Sequence, residues 1–232
     1  MKSSPLATEA LFHIGPVPIT QPVLATWCIM AVMVAGACWL TRHLRLRPAR
    51  GQAAMELVTG ALDAQIGDVM QADPAPYRPL IGMVFLFVLV ANWSGSLPGV
   101  EPPTANIETD AALALIVFVA TIWHGIRANG VLGYLRGFAE PSWIMLPLNL
   151  VEQITRSFSM IIRLFGNVMS GVYVIGVMLS LAGLLVPIPL MALDLLTGAI
   201  QAYIFAILAC VFIGAAVSEG ARPAATTAPP TE

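Results

Sequence analysis

The chain has 232 residues, of which 58% are hydrophobic and only 10% charged, and its formal net charge is -2. So much apolar surface exceeds what a water-soluble core of this size buries, so the composition describes an integral membrane protein and excludes a soluble enzyme. The near-neutral balance offers no electrostatic basis for a nucleic-acid partner, and in such a chain the placement of charge says more than its sum.

The N-terminal arm lacks the basic-then-apolar order of a signal peptide, so the first apolar run, Val23 to Leu40, is expected to be an uncleaved helix. Further runs occupy Pro79 to Trp93, Ala111 to Ile126, Ser157 to Val186 and Leu190 to Val217. Each is near or above the ~20 residues that cross a bilayer. The pattern predicts an all-α integral membrane protein with five spanning helices in a single membrane domain, residues 1–220, followed by a Pro-, Ala- and Thr-rich tail, 221–232, expected to be disordered. Between the first two runs, Gln52 to Val69 sets Met55, Leu57, Val58, Leu62, Ile66 and Val69 among Glu56, Asp63 and Asp68 at helical spacing. This is a membrane-surface helix, lying on the bilayer or docked on a partner. Cys28, Cys38 and Cys210 all lie in apolar runs and fit no zinc spacing, so buried reduced thiols are expected.

Orientation follows from charge. Arg42, Arg45, Arg47 and Arg50 cluster just after the first run, whereas Lys2 alone precedes it, which puts the N-terminus outside and the cluster in the cytoplasm. Alternation then places the Ser94 to Asp110 loop and the Leu184 to Pro189 turn outside. Arg127, Arg136 and the C-terminus fall inside.

The last two runs exceed a perpendicular span, which implies strong tilt, and they carry polar groups. Arg163 lies near the middle of one of them, and a permanent guanidinium at the centre of a spanning helix costs on the order of 2.5 to 3.5 kcal/mol even on the lenient insertion scale. At 100° per residue, Glu152, Arg156, Ser159, Asn167 and Ser170 share its side of the helix. On the final run Asp194, Gly198 and Gln201 follow i, i+4, i+7 spacing, so two polar stripes are expected to face a common watery space.

Blander readings exist for each feature. Arg163 and Asp194 form a structural salt bridge in one of them, and Gln201 merely bonds a neighbouring backbone. Gly166, Gly171 and Gly176 serve close packing, the usual role of small residues between membrane helices. Glu152 and Arg156, four apart, pair on the helix surface. His124 sits at the membrane interface.

Several motifs together resemble subunit a of the F-type ATP synthases. Arg163-Leu164-Phe165-Gly166-Asn167, with Met169 and Gly171, is similar to that family's signature around its essential arginine, and Gln201-Ala202-Tyr203-Ile204-Phe205 is similar to its last helix. His13-Ile14-Gly15-Pro16-Val17-Pro18-Ile19-Thr20 resembles the N-terminal arm, Asn92 to Gly99 the end of the second span, and Pro103-Thr104-Ala105-Asn106 the return of the outer loop. The resemblance implies a non-catalytic ion-channel subunit of a bacterial inner membrane, without cofactor. Its two tilted helices would press on a rotating c-subunit ring, with the b-subunit stator stalk and other synthase subunits as further partners. Arg163 would separate two offset aqueous half-channels for H+ or Na+, served by Asn167, Asp194, Gln201, Glu152 and Asn149.

The chain departs from the common pattern in ways that resemble an alternate bacterial subgroup. Val172 stands where many members have Glu or His, so the outer channel is expected to rely on Asp194. Asn149 replaces the usual glutamate before the arginine, and Glu152 is expected to substitute for it. Asn106 replaces a frequent acidic residue, with Glu108 and Asp110 near. Two other readings stay open: a secondary transporter, which internal repeats would betray, and a membrane scaffold built on an Arg163 to Asp194 pair. No phosphate loop or metal-ligand spacing accompanies them.

Overall fold

A computed structural model describes residues 10–14, 17–42, 50–96, 102–139, 144–183 and 186–218. Lys2, Arg45, Arg47 and the 221–232 tail lie outside the described residues. Within them the chain forms a short hairpin, β1 (Ala10–Ile14) and β2 (Val17–Thr20), then six helices. These are α1 (Gln21–Arg42), α2 (Arg50–Met70), α3 (Arg78–Ser94), α4 (Ile107–Ala139), α5 (Met145–Ala182) and α6 (Pro187–Ser218). A single 3-10 turn, Pro103–Ala105, precedes α4.

The helical fold is as expected, with one addition. The hairpin pairs Phe12 with Ile19 and His13 with Pro18, antiparallel, in the N-terminal arm. Among the described residues four helical segments are long and apolar enough to cross a membrane: Gln21–Trp39, Ile107–Gly137, Leu146–Leu181 and Pro187–Ser218. The fifth expected span, α3, is apolar but has 17 residues. Helix α6 starts at Pro187, earlier than the apolar run implied, because proline at a helix start gives up a backbone N–H that has no intrahelical partner anyway.

Helices α3 to α6 pack around an apolar cluster of Val84 and Val88 from α3, Leu113, Ala114 and Val117 from α4, Met160 and Leu164 from α5, and Ala202, Phe205 and Ala209 from α6. Hydrocarbon offers no hydrophobic drive between spanning helices, so fixed contacts and hydrogen bonds must hold them. At one end of the bundle Asn92 Nδ2 donates to the Gly198 carbonyl at 3.0 Å and Trp93 Nε1 to the Leu195 carbonyl at 3.0 Å, tying α3 to α6. At the other end Asn129 Nδ2 donates to the Ala216 and Val217 carbonyls, both at 3.2 Å, which caps the close of α6.

Helix α4 breaks at Gly130, whose φ of 72° and ψ of 165° suit a residue without Cβ. The break turns Tyr134 back against Gly125, where an added Cβ would meet the tyrosine ring. Arg127 and the close of α6 therefore lie at one end of the molecule. Tyr77 stacks near His124 there, with ring centroids 5.1 Å apart.

Helix α2 docks on this chain rather than standing alone. Its Ile66 is 1% exposed and packs with Ile81 of α3 and Ala206 and Cys210 of α6. Leu62 reaches the site of Gly82, Met70 that of Gly214, and Gln65 accepts a hydrogen bond from the Tyr203 hydroxyl at 2.8 Å. Asp63 pairs with Arg78. Of the cysteines, Cys210 is buried as expected, but Cys28 and Cys38 are exposed, because α1 covers little of itself against the bundle. No disulfide joins the three.

Ile66→Ala is expected to cost roughly 2 to 5 kcal/mol, the range for deleting a well-packed Ile side chain. The thermal midpoint of the detergent-solubilised protein should fall, while Leu57→Ala on the exposed face of α2 should leave it unchanged.

Candidate functional site

Helix α5 is divided lengthwise. Met160, Leu164 and Val168, four residues apart, are buried against the bundle, whereas Glu152, Thr155, Ser159, Ile162, Arg163, Gly166 and Ser170 are exposed on the other side. The four-residue rows are what an α-helix makes of this sequence, in which each apolar core position is preceded or followed by a polar or small one.

Two separate cavities open along α5 and α6. One, of about 190 Å³, is lined by Asn167, Val168, Val172 and Gly176 of α5, Met191, Asp194 and Gly198 of α6, and Asn92 and Pro102 behind them. The other, of about 590 Å³, is lined by Val151, Glu152, Arg156, Ser159 and Arg163 of α5 and by Leu208 and Phe212 of α6. They share no residue. On α5 the second ends at Arg163 and the first begins at Asn167, about 6 Å apart along the axis. On α6 the gap from Gly198 to Leu208 is about 15 Å. Leu164 and Ala202 at 0% exposure and Phe205 at 1% fill the interval.

The two stripes read from the sequence are therefore present, but they line two spaces rather than one common space. Glu152, Arg156, Ser159 and Arg163 share one cavity; Asn167 and Asp194 share the other. Gln201 reaches neither, being 7% exposed in the apolar interval with its Nε2 unpartnered. Asn149 lies about one turn from Glu152, half-buried and outside the cavity lining. Glu152 and Arg156 form the expected surface pair, and the Arg156 guanidinium also lies 5.6 Å from the centre of the Phe212 ring, which ties α5 to α6.

Among the described residues no ion pair joins Arg163 to Asp194. The Asp194 carboxylate instead lies against Gly171, where an added Cβ would collide with Oδ1. Gly171 is eight residues past Arg163, about 12 Å along the helix, so the two charges sit at different heights. The scaffold reading, which needs them paired, loses its central contact.

The three glycines of α5 also separate. Gly171 is the close-packing one, leaving space for a carboxylate. At Gly166 and Gly176 an added Cβ would meet nothing within 4 Å, so packing inside this chain does not explain them.

Asn92 is a residue whose part the sequence did not disclose. It closes the back of the Asp194 cavity, donating to the Gly198 carbonyl and accepting from Thr104 Oγ1 at 2.9 Å. An added Cβ at Gly198 would press on its side chain, so Gly198 makes the close approach possible. The one available signal was an amide near the end of an apolar run, which must find a partner when buried.

A polar cavity with a carboxylate, a second with a fixed guanidinium, and a dry interval between them make up the candidate site of a chain with four helices able to cross a membrane. The family model for the ATP synthase A chain matches residues 23–214. The chain is 54% identical over 222 residues to ATP synthase subunit a 2 of Bradyrhizobium sp., covering 96% of this chain and 100% of that one. It is 43% identical to ATP synthase subunit a of Albidiferax ferrireducens over 90% of this chain and 91% of that one. With ATP synthase subunit a 2 of Acaryochloris marina the identity is 42%, over 87% of each chain. The chain belongs to the ATP synthase subunit a family, the ion-translocating stator part of the F-type ATP synthase.

Gly171→Ala is expected to push the Asp194 carboxylate out of its place and to slow ATP-driven ion uptake by inverted vesicles by on the order of tenfold, the effect of a misfit near 1.4 kcal/mol. Gly60→Ala, exposed on α2 with open space beside it and away from both cavities, should leave uptake at the wild-type rate.

Proposed function

We propose that this subunit forms two offset half-channels against a rotating ring of c-subunits, with Arg163 as the charge that keeps them apart. The observation that carries this reading is the pair of cavities sharing no residue, with Arg163 at the end of one and a dry layer of Leu164, Ala202 and Phe205 beyond it. The Asp194 cavity, beside the turn between α5 and α6, is the outer half-channel. The Glu152 cavity is the cytoplasmic one. The N-terminus lies outside and the C-terminus inside; α1, α3, α4, α5 and α6 all cross the bilayer of a bacterial inner membrane, and α5 and α6 do so with strong tilt. Arg127 and the close of α6 share one end, in keeping with the positive-inside rule.

The uncovered face of α5 is the ring-facing surface. It carries Arg163 between Ile162 and Gly166, and the open space at Gly166 lets a partner helix come close. A ring carboxylate carrying a bound ion meets Arg163 as the ring turns. The fixed positive charge favours the ionised carboxylate, so the ion leaves into the adjoining half-channel. The same charge repels cations that would otherwise leak from one cavity to the other. Before returning to lipid the carboxylate must take up another ion from the second half-channel, because an unpaired charge in hydrocarbon is costly. Ion flow thereby turns the ring.

In this scheme Asp194 and Asn167 conduct the ion, H+ or Na+, on the outer side. Glu152, about one turn from Asn149, serves the cytoplasmic side. Gln201 belongs to the barrier. Each charge moved contributes about 2.3 kcal/mol per 100 mV, so several ions pass for each ATP made. The b-subunit stalk holds the assembly still, and nucleotide chemistry resides in other subunits.

The test is ATP-driven ion uptake by inverted vesicles bearing the whole complex, with assembly of each variant confirmed. Arg163→Ala is expected to abolish uptake while the complex stays intact, and Arg163→Lys to lose most of it, since an ammonium lacks the planar, always-charged fork. Normal pumping by Arg163→Ala overturns the separating-charge mechanism.

A further inference from the structure

Asp110 is fully buried at 0% exposure, yet neither carboxyl oxygen has a hydrogen-bond partner. One other buried side-chain atom among the described residues is in the same position: Nε2 of Gln201. An acceptor group and a donor group, both buried and both unsatisfied, are each costly where they stand alone.

Both lie beside the same apolar cluster. Asp110 lies on the core side of α4, one turn from Leu113 and Ala114, and Gln201 lies one turn from Phe205 on α6. Leu113, Ala114 and Phe205 belong to the same apolar cluster, and along each helix the step to Asp110 or Gln201 leads toward the end where Asn92 bonds the Gly198 carbonyl. Both polar groups thus cap one apolar layer from inside the bundle.

The charged groups that could compensate Asp110 are turned elsewhere. On its own helix Glu108 is exposed; on α5 Arg163 is exposed toward the Glu152 cavity while Leu164 and Val168 face inward; on α6 Asp194 lies against Gly171. Helix α3 presents Asn92 and the 3-10 turn presents Thr104, which are already bonded to each other. Among the described residues no cation lies within hydrogen-bond reach to balance an ionised carboxylate here.

We propose that Asp110 binds a proton and shares it with the Gln201 side chain, as a neutral acid–amide pair inside the barrier between the two cavities. The carboxyl O–H donates to Gln201 Oε1, and Gln201 Nε2–H donates to the other carboxyl oxygen, directly or through one buried water. One arrangement satisfies every group left orphaned. It orients the Gln201 amide and places an exchangeable proton behind α5, in a layer otherwise made of apolar side chains. The role in the barrier rests on the half-channel reading, but the proton site does not.

Infrared difference spectroscopy on the assembled complex tests it without reference to transport. Wild type minus Asp110→Asn should contain a carboxylic-acid C=O band that shifts in D2O. Gln201→Leu should keep the band and move it to higher frequency, since the carbonyl then loses its amide donor. Absence of an Asp110-dependent acid band, or a band replaced by a carboxylate signal that depends on added Na+, overturns the proton site. A band that stays in place in Gln201→Leu overturns the pairing. Should Asp110→Asn fail to assemble, the Gln201→Leu shift decides alone, because that variant keeps the carboxyl. Arg163→Ala should show the same Asp110 band even where it no longer pumps, so failure of the channel mechanism and failure of the proton site are read separately.

Discussion

Leu164, Ala202 and Phe205 close the middle of the bundle with almost no exposure, and the polar features of α5 and α6 are arranged about that closure. Were it open, the two cavities would join. Its integrity depends on packing, because hydrocarbon supplies no hydrophobic pressure to press spanning helices together. The hydrogen bonds that secure it sit at the ends: Asn92 and Trp93 hold α3 to α6 on one side, and Asn129 holds the close of α6 on the other. Amides and an indole do work there that apolar contacts alone cannot, since in lipid a polar side chain gains little by letting go.

The second constraint is the permanent charge of Arg163. A guanidinium cannot be neutralised by losing its proton, so it must meet water, a counter-charge or both. Within this chain it meets a cavity rather than Asp194, and it does so from the side of α5 that the chain leaves uncovered. The same face has open space at Gly166, while the one glycine of α5 that packs tightly, Gly171, receives Asp194. Small residues of one helix therefore serve two purposes, and sequence spacing alone does not separate them.

Much of the architecture was legible in the amino-acid order. Long apolar runs, the polar rows around Arg163 and Asp194, the Glu152 and Arg156 pair and the arginine motif are all local or periodic signals, which a helix converts directly into faces. The hairpin in the N-terminal arm, the break at Gly130 and the docking of α2 through Ile66 were not, because each depends on what a segment meets in space. The exposure of Cys28 and Cys38 belongs with them: an apolar run announces a spanning helix but not how much of it a neighbour covers.

Hydropathy and the arginine motif by themselves determined that this is a multi-pass membrane protein of the subunit a family, and they singled out Arg163 and Asp194 as candidate site residues. The reason is that lipid forbids unpaired charge and unsatisfied backbone over a whole span, so composition and period are enough. Tertiary structure alone decided that the polar rows line two spaces instead of one, that Asp194 rests on Gly171 rather than pairing with Arg163, and that Asn92, Asp110 and Gln201 are interior groups. Those outcomes turn on the heights at which α3, α4, α5 and α6 pass one another, a relation between residues far apart in the chain that no period within a single helix encodes.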